Sequence, residues 1–393
     1  MADLAVTARG FQGYERPDGT YGVRNHLAVI SSVGCANEVT RRVAQEIGAA
    51  AVLHGQGCGQ MPSDLERVRA TLAGIGTNPN VGAVLVVGLG CEGVPARQLA
   101  SDIAASGRPV DVVVLQEIGG YSKACERGIE LGRKLAAAIA GQKRREVDIS
   151  HLVVGIKCGA SDATSGMACN PAAGIASDML VAAGGTSIFC ETTELIGAEH
   201  LMARRAISPE VGRTLLHVVR RLEAEAGRFG SDMRGGQPSP GNMAGGISTI
   251  EEKSLGAICK AGSAPLQGVL EYGVRPAGRG LYFMDSPGRE IEVFAGLASA
   301  GAQLMLFTTG RGAPQGFPIA PVVKVSANAR TCAFLAEHID VDVSGVMDGS
   351  QTLQQAGELI FGHILQVASG HPTKAETIGY VETMDIFVRG PAI

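Results

Sequence analysis

The feature that most constrains the fold is a rhythm: an unbroken apolar run, a glycine-rich turn, then an amphipathic helix, repeated along most of the chain. "HLAVISSV" precedes Asn37 and a helix with Val39, Val43 and Ile47 on one face; "AAAVLH" precedes one carrying Leu65, Val68 and Leu72, with Ser63 and Glu66 spaced as a capping box. "VGAVLVVGLG" and "VDVVVLQE" each lead into another helix. Continuous Val/Leu/Ile runs are strands buried on both faces, and helices between them make the sheet parallel. The rhythm resumes with "HLVVGIKCG", after which Asn170-Pro171 is expected to start a helix with Asn170 as its cap, and later with "GLYFMDSPG", "AQLMLFTTGRG" and "PVVKVSAN".

At 393 residues the chain is too long for one ordinary core. The charged stretch 141–150, "GQKRREVDIS", is the expected linker. We therefore expect an α/β protein of two domains, each on a mainly parallel sheet flanked by helices: residues 1–145, and 150–393 with a polar loop over 231–246 that acts as an active-site loop or a hinge.

A net charge of -4 and no concentrated basic stripe argue against a nucleic-acid partner. No apolar run approaches the roughly 18 residues of a membrane-spanning helix, and "MADLAVTARGF" has no leader pattern, so a cytoplasmic enzyme is expected, with no membrane partner. The nine cysteines are odd in number, dispersed and without CxxC spacing, which reads as reduced thiols. Fifty-five glycines against six tyrosines and no tryptophan suit tight turns over a small ligand better than a macromolecular interface.

Three apolar runs end in glycines wrapped around one cysteine: "HGQGCG", "GLGCEG" and "GIKCGASD". Ligands of open parallel sheets bind outside the carboxyl ends of the strands, where these turns fall, and thiolate is a soft ligand for iron or zinc. Cys58, Cys91 and Cys158 are thus candidate metal ligands that would converge on one crevice; the alternative is that each is a small buried apolar residue. Cys35 stands between the two readings, and Cys125, Cys169, Cys190, Cys259 and Cys332 read as structural. "GLGCEG" also satisfies GxGxxG, but it does not follow the first strand, and Glu92 would set a carboxylate where a pyrophosphate belongs, which disfavours an NAD(P)-dependent oxidoreductase. Glu191 and Glu194 end another run. Lys253 follows Ser248 and Glu251, a second expected capping box, and Arg311 between glycines is placed to fork a carboxylate.

Eight segments in order, "GYERPDGTYGVRNH", "HGQGCG", "GLGCEG", "CGASDATSG", "ETTELIGAEH", "SPGNMAGGISTIEEKSLGA", "MDSPG" and "FTTGRG", closely resemble the large-subunit portion of the altronate and galactarate dehydratase family, and the likeness continues to "GHPTKAETIGY". The resemblance implies dehydration of a sugar acid to a 2-keto-3-deoxy acid with a divalent metal, Fe2+ first and Mn2+ second. It also implies a small SAF-fold domain, which here would come from a separate small subunit or be dispensed with, and an oligomer. A neighbouring branch, the sulfolactate sulfo-lyase large subunit, is similar in "CGASDATSG", "ISTIEEKSLG" and "AEHIDVDVSG"; the cysteines of "HGQGCG" and "GLGCEG" favour a sugar acid over it.

Such a reaction needs a carboxylate anchor, a metal, a base and an acid. The expected anchors are Arg24, with Asn25 beside it, or Arg311. The expected metal ligands are Cys58, Cys91, Cys158 and Glu191. His54, Glu194 and Lys253 are expected to move protons, and Asp162, Asn170 and Asn242 to hold substrate hydroxyls. An iron-sulfur cluster on the three cysteines is the second choice of cofactor. The remaining alternative is a non-catalytic scaffold subunit, against which stand the polar residues at so many strand ends.

Overall fold

The computed structural model describes residues 10–393. Both long apolar rhythms form parallel sheets. The first has four strands in the order Ala50–Val52, His26–Ser31, Val81–Gly88, Val110–Val114. The second has seven, in the order Leu266–Leu270, Gly280–Met284, Thr186–Cys190, Val153–Gly159, Leu304–Thr309, Val322–Ser326, Val341–Asp342. All residues of Val81–Gly88 and Leu304–Thr309 are buried, as strands covered on both faces must be. The protein is α/β, with helices flanking both sheets.

The two sheets do not bury wholly separate cores. Helix Pro62–Gly76 packs on helix Glu290–Ser299. One apolar cluster takes Ile30, Val84 and Val86 from the first sheet and Ile188, Met284 and Phe307 from the second. The stretch expected as a linker also has structure: Arg145–Asp148 is a strand paired antiparallel with Gly10–Gly13, and Tyr21–Gly22 completes that small sheet. It is an edge strand, exposed except at Val147, and its charged side chains face solvent.

Three expected caps are formed differently. Helix Pro62–Gly76 starts after Met61 with no side-chain cap, because Pro62 at its first position needs none. The cap of Ile250–Ile258 is Thr249, which accepts from Glu252 N–H, one residue on from the expected pair. Asn170 caps nothing: the wide helical turn Ser165–Cys169 runs straight into helix Asn170–Ala182, and the Asn170 amide is spent elsewhere. Among the described residues no helix is long and apolar enough to cross a membrane.

Candidate active site

The site forms outside the carboxyl ends of three adjacent strands, Val153–Gly159, Thr186–Cys190 and Gly280–Met284. Glu191 is the first residue past its strand and holds a left-handed backbone, φ 80°, rare for a residue with a side chain. The conformation is pinned by its N–H donating to Ser286 Oγ at 2.9 Å. It turns the carboxylate towards the neighbouring strand, where Cys158 N–H donates to Glu191 Oε2 at 2.9 Å. One tight turn later, Glu194 Oε2 accepts from the Cys158 thiol at 2.8 Å. The ligating atoms of Cys158, Glu191 and Glu194 all lie within 4.8 Å of one another, the span of groups that could hold one metal ion, and among the described residues they are the one such group.

A lysine already stands where they converge. Lys260, in the turn Cys259–Ala261 after helix Ile250–Ile258, places Nζ 3.1 Å from Cys158 Sγ, 2.9 Å from Glu191 Oε2 and 2.5 Å from Glu194 Oε2. Lys157, fully buried, lies 3.3 Å from both Glu191 Oε1 and Glu290 Oε1 and caps the Phe307 ring from 4.6 Å. A Cβ at Gly159 would stand 2.6 Å from Glu290 Oε1 and 3.1 Å from Lys157 Nζ, so glycine leaves the room that this ion pair occupies. Nearer the opening, Lys253 Nζ donates to Gln237 Oε1 at 2.7 Å and to Asn242 Oδ1 at 3.2 Å, with Glu194 Oε1 at 3.7 Å.

Burial and charge pull these groups apart. Burial, reinforced by the Glu194 charge, pushes the Cys158 thiol up to about 12, so it stays protonated. Burial opposes the charge of Lys260, yet Cys158, Glu191 and Glu194 together raise it well above its ordinary value. Burial and the charge of Glu194 raise Glu191. Burial works against ionised Glu194 too, but Lys260 and Lys253 outweigh it and hold the carboxyl well below the usual range.

These groups open onto a cavity of about 400 Å³ lined by Cys158, Glu191, Glu194, Asn242, Lys253 and Arg289 among others. The loop 231–246 closes one side: Asn242 Nδ2 donates to Ser161 O at 2.9 Å, and Gln237 and Ser239 join the wall. A second cavity of about 630 Å³ adjoins it, lined by Asp162, Arg311, Asn328 and Arg330. Asp162 is tied to Thr164, Ser165 and Asn328, and Arg311 donates to Gly241 O at 3.0 Å.

Cys158, Glu191, Glu194, Asn242 and Lys253 are thus brought together, with Asp162 and Arg311 next door. Asn170 lines a smaller cavity that shares Ser161 and Lys253 with the first, but its amide is held between Thr308 Oγ1, from which it accepts at 2.6 Å, and Gly256 O, to which it donates at 3.0 Å. Other expected residues are elsewhere. Arg24 stands just before its strand and holds both oxygens of Glu376 with Nε–H and one terminal N–H, while its other N–H groups donate to Val23 O, Val367 O and His371 O; nothing is left for a substrate. Asn25 is spent on Arg16 and Ile139 O. His54 is buried with both ring nitrogens committed, Nε2–H to Ser31 O and Nδ1 from Gln56 N–H, so it orders a loop instead of moving protons.

Cys58 and Cys91 are exposed on loops of the four-stranded sheet and are not brought into the buried group of Cys158. The shared glycine-cysteine pattern records a shared kind of turn on two different sheets. The "GLGCEG" turn is closed by Glu92 itself, whose carboxylate accepts from Gly90 N–H and Ser32 Oγ, filling the place of a phosphate. Lys157, Lys260 and Glu290 went unread. The available signal was a lysine inside an otherwise apolar strand, "VVGIKCG", and another inside "GAICKAGSA".

Comparison with known proteins follows the same segments. Residues 13–140 match the family described as D-galactarate dehydratase/Altronate hydrolase, second domain, and residues 149–391 match D-galactarate/Altronate dehydratase, C-terminal. The chain is 38% identical to the (2R)-sulfolactate sulfo-lyase subunit beta of Chromohalobacter salexigens, covering 96% of this chain and 97% of that protein. It is 34% identical to the altronate dehydratase of Bacillus subtilis, over 97% of this chain and 78% of the relative. It is also 34% identical to the galactarate dehydratase (L-threo-forming) of Escherichia coli, over 92% and 73%.

Proposed function

Since the chain belongs to the D-galactarate/altronate dehydratase family and is a lyase, we propose that it removes water from a sugar acid, an aldonate or aldarate, to give a 2-keto-3-deoxy acid in the cytoplasm. The observation that carries the reading is the juxtaposition, on one cavity wall, of the Lys253 ammonium, held by Gln237 and Asn242, with the Glu194 carboxylate 3.7 Å away, above a buried ion network.

Removing the proton α to the carboxylate leaves its electron pair in an enediolate. Collapse of the enediolate expels the 3-hydroxyl as water once it is protonated, and the resulting enol ketonises. We assign Glu194, held ionised, to accept the α proton and Lys253 to donate to the departing hydroxyl. A carboxylate with a depressed pKa is a weak base, and the fixed positive charges of Lys253, Lys260 and Lys157 around the cavity offset this by stabilising the enediolate dianion. Arg289, which donates from one end to Glu292 Oε1 at 2.9 Å, is the exposed cation at the wall whose other N–H groups anchor the substrate carboxylate, while Ser161, Ser239 and Gln237 hold hydroxyls. Asp162 and Arg311 in the adjoining cavity are placed for the far end of a longer acid.

The family resemblance implies a divalent metal. The Cys158–Glu191–Glu194 group has the span for an ion, but the point on which its ligating atoms converge is in contact with the Lys260 ammonium, so as folded it does not fit one, and no step is routed through a metal.

A second reading has its own support: the sulfo-lyase subunit beta matches this chain over 97% of its length. The same deprotonation would then expel sulfite from carbon 3, the carbon–sulfur pair leaving with sulfur, and a small partner subunit would be required. A panel of aldonates, aldarates and 3-sulfolactate, with the chain alone and co-expressed with a small SAF-fold subunit, assayed for 2-keto product and for sulfite, separates the two. No 2-keto product from any sugar acid under either condition overturns the first reading.

A further inference from the structure

We propose that Lys260 is the resident cation of the Cys158–Glu191–Glu194 group: its ammonium, and not a metal ion, occupies the point on which the three side chains converge. The proposal deepens the reading above by saying what holds that site's two carboxylates together.

An ammonium has three hydrogens, and Lys260 Nζ has three partners, at 3.1, 2.9 and 2.5 Å, one from each member of the group. An ion bound by the same three atoms would need metal–sulfur and metal–oxygen distances of about 2.3 and 2.0–2.2 Å, which places it where Nζ now stands. The lysine has nowhere to go: its side chain is 1% exposed, and its turn is wedged against helix Asn170–Ala182 so closely that a Cβ on Gly174 would lie 2.1 Å from Cys259 O.

Charge points the same way. Around the group stand the carboxylates of Glu191, Glu194 and Glu290 and the ammoniums of Lys157, Lys253 and Lys260, so the cluster is balanced as folded. A divalent ion added to it would leave uncompensated positive charge in a buried place, which is costly. A site built for a metal shows the reverse, an excess of acceptors with no cation among them.

The test is optical and needs no substrate, so it stands or falls apart from the product assay. The full chain is stripped with chelator and titrated anaerobically with Co2+, whose bond to a thiolate gives a near-ultraviolet charge-transfer band. Wild type and Cys158→Ser are expected to give the same spectrum. Folded Lys260→Met is expected to gain a band that the added Cys158→Ser removes. A wild-type band that Cys158→Ser abolishes overturns the proposal, and so does a folded Lys260→Met protein without the band. If Lys260→Met fails to fold, the wild-type and Cys158→Ser pair decides, because serine keeps the size of cysteine.

Discussion

Lys260 Nζ lies 2.5 Å from Glu194 Oε2 with side chains only 1% and 6% exposed, although 66 residues separate them in the chain. A pair so withdrawn from water is stable only as a pair. Removing one partner of a buried ion pair costs about 3–5 kcal/mol, because the other charge is left unmatched. Lys260→Met should therefore lower unfolding free energy by about that much in urea titrations followed by circular dichroism. Glu194→Gln, which keeps shape and one acceptor, should lose less stability and more activity.

Lys253 carries a different expectation. It sits at the cavity edge, 3.7 Å from Glu194 Oε1 where Lys260 is at 2.5 Å, so Lys253→Met should lower the unfolding free energy by less than Lys260→Met does. Loss of a positioned acid typically costs about 10²–10⁴ in rate. Turnover of the best substrate in the panel should fall by that order, and a variant retaining more than a tenth of wild-type turnover would remove Lys253 from the mechanism.

His54 supplies a pH dependence. Burial, stronger than the opposing contact with Ser31 O, lowers its pKa, so the folded ring stays neutral. Below about pH 6.5 the unfolded chain takes up a proton on this ring that the folded one refuses, and stability falls as pH falls, by up to about 1.4 kcal/mol per pH unit. Stability is fully present above the unfolded pKa. His54→Gln should flatten this slope between about pH 6.5 and 5 in denaturant titrations while retaining activity at neutral pH.

Gly174 tests the wedge behind Lys260. With Cys259 O 2.1 Å from the position of an added Cβ, Gly174→Ala must shift the turn that carries Lys260. Overpacking of this kind costs about 1–3 kcal/mol, and activity should fall with it. Gly227→Ala, in helix Pro209–Arg228 with open space at the added Cβ, should instead raise stability by up to about 1 kcal/mol.

Arg24 distinguishes a structural clamp from an anchor. Its guanidinium binds Glu376 at 2.8 and 2.9 Å, the Val367 carbonyl in the last turn of helix Leu353–Ala368, and the His371 carbonyl just before helix Lys374–Ile378. Arg24→Met should lower the thermal midpoint by several degrees, as a loss of about 1–2 kcal/mol does in a large domain, and leave KM for the sugar acid unchanged. A raised KM with an unchanged midpoint would restore the anchor.

The sequence by itself determined the layers of this protein and the side of the sheets on which chemistry gathers. Unbroken apolar runs such as "VGAVLVV" and "AQLMLF" report burial on both faces, a local property, and turns rich in glycine and polar residues report where a strand stops, also locally. Glu191, Glu194 and Asn242 were legible for that reason, as polar residues in such turns or in the polar loop, whereas Lys253, inside helix Ile250–Ile258, was legible only through the family resemblance of its segment.

Only the tertiary structure decided which turns meet. Strand order sets Thr186–Cys190 beside Val153–Gly159, bringing Glu191 to Cys158, while Cys58 and Cys91 stand on the other sheet. Their turns look alike along the chain, because spacing of residues carries no record of which strand pairs with which. Lys260 was invisible for the related reason that a buried lysine makes sense only beside carboxylates far away in sequence, and that proximity is created by folding.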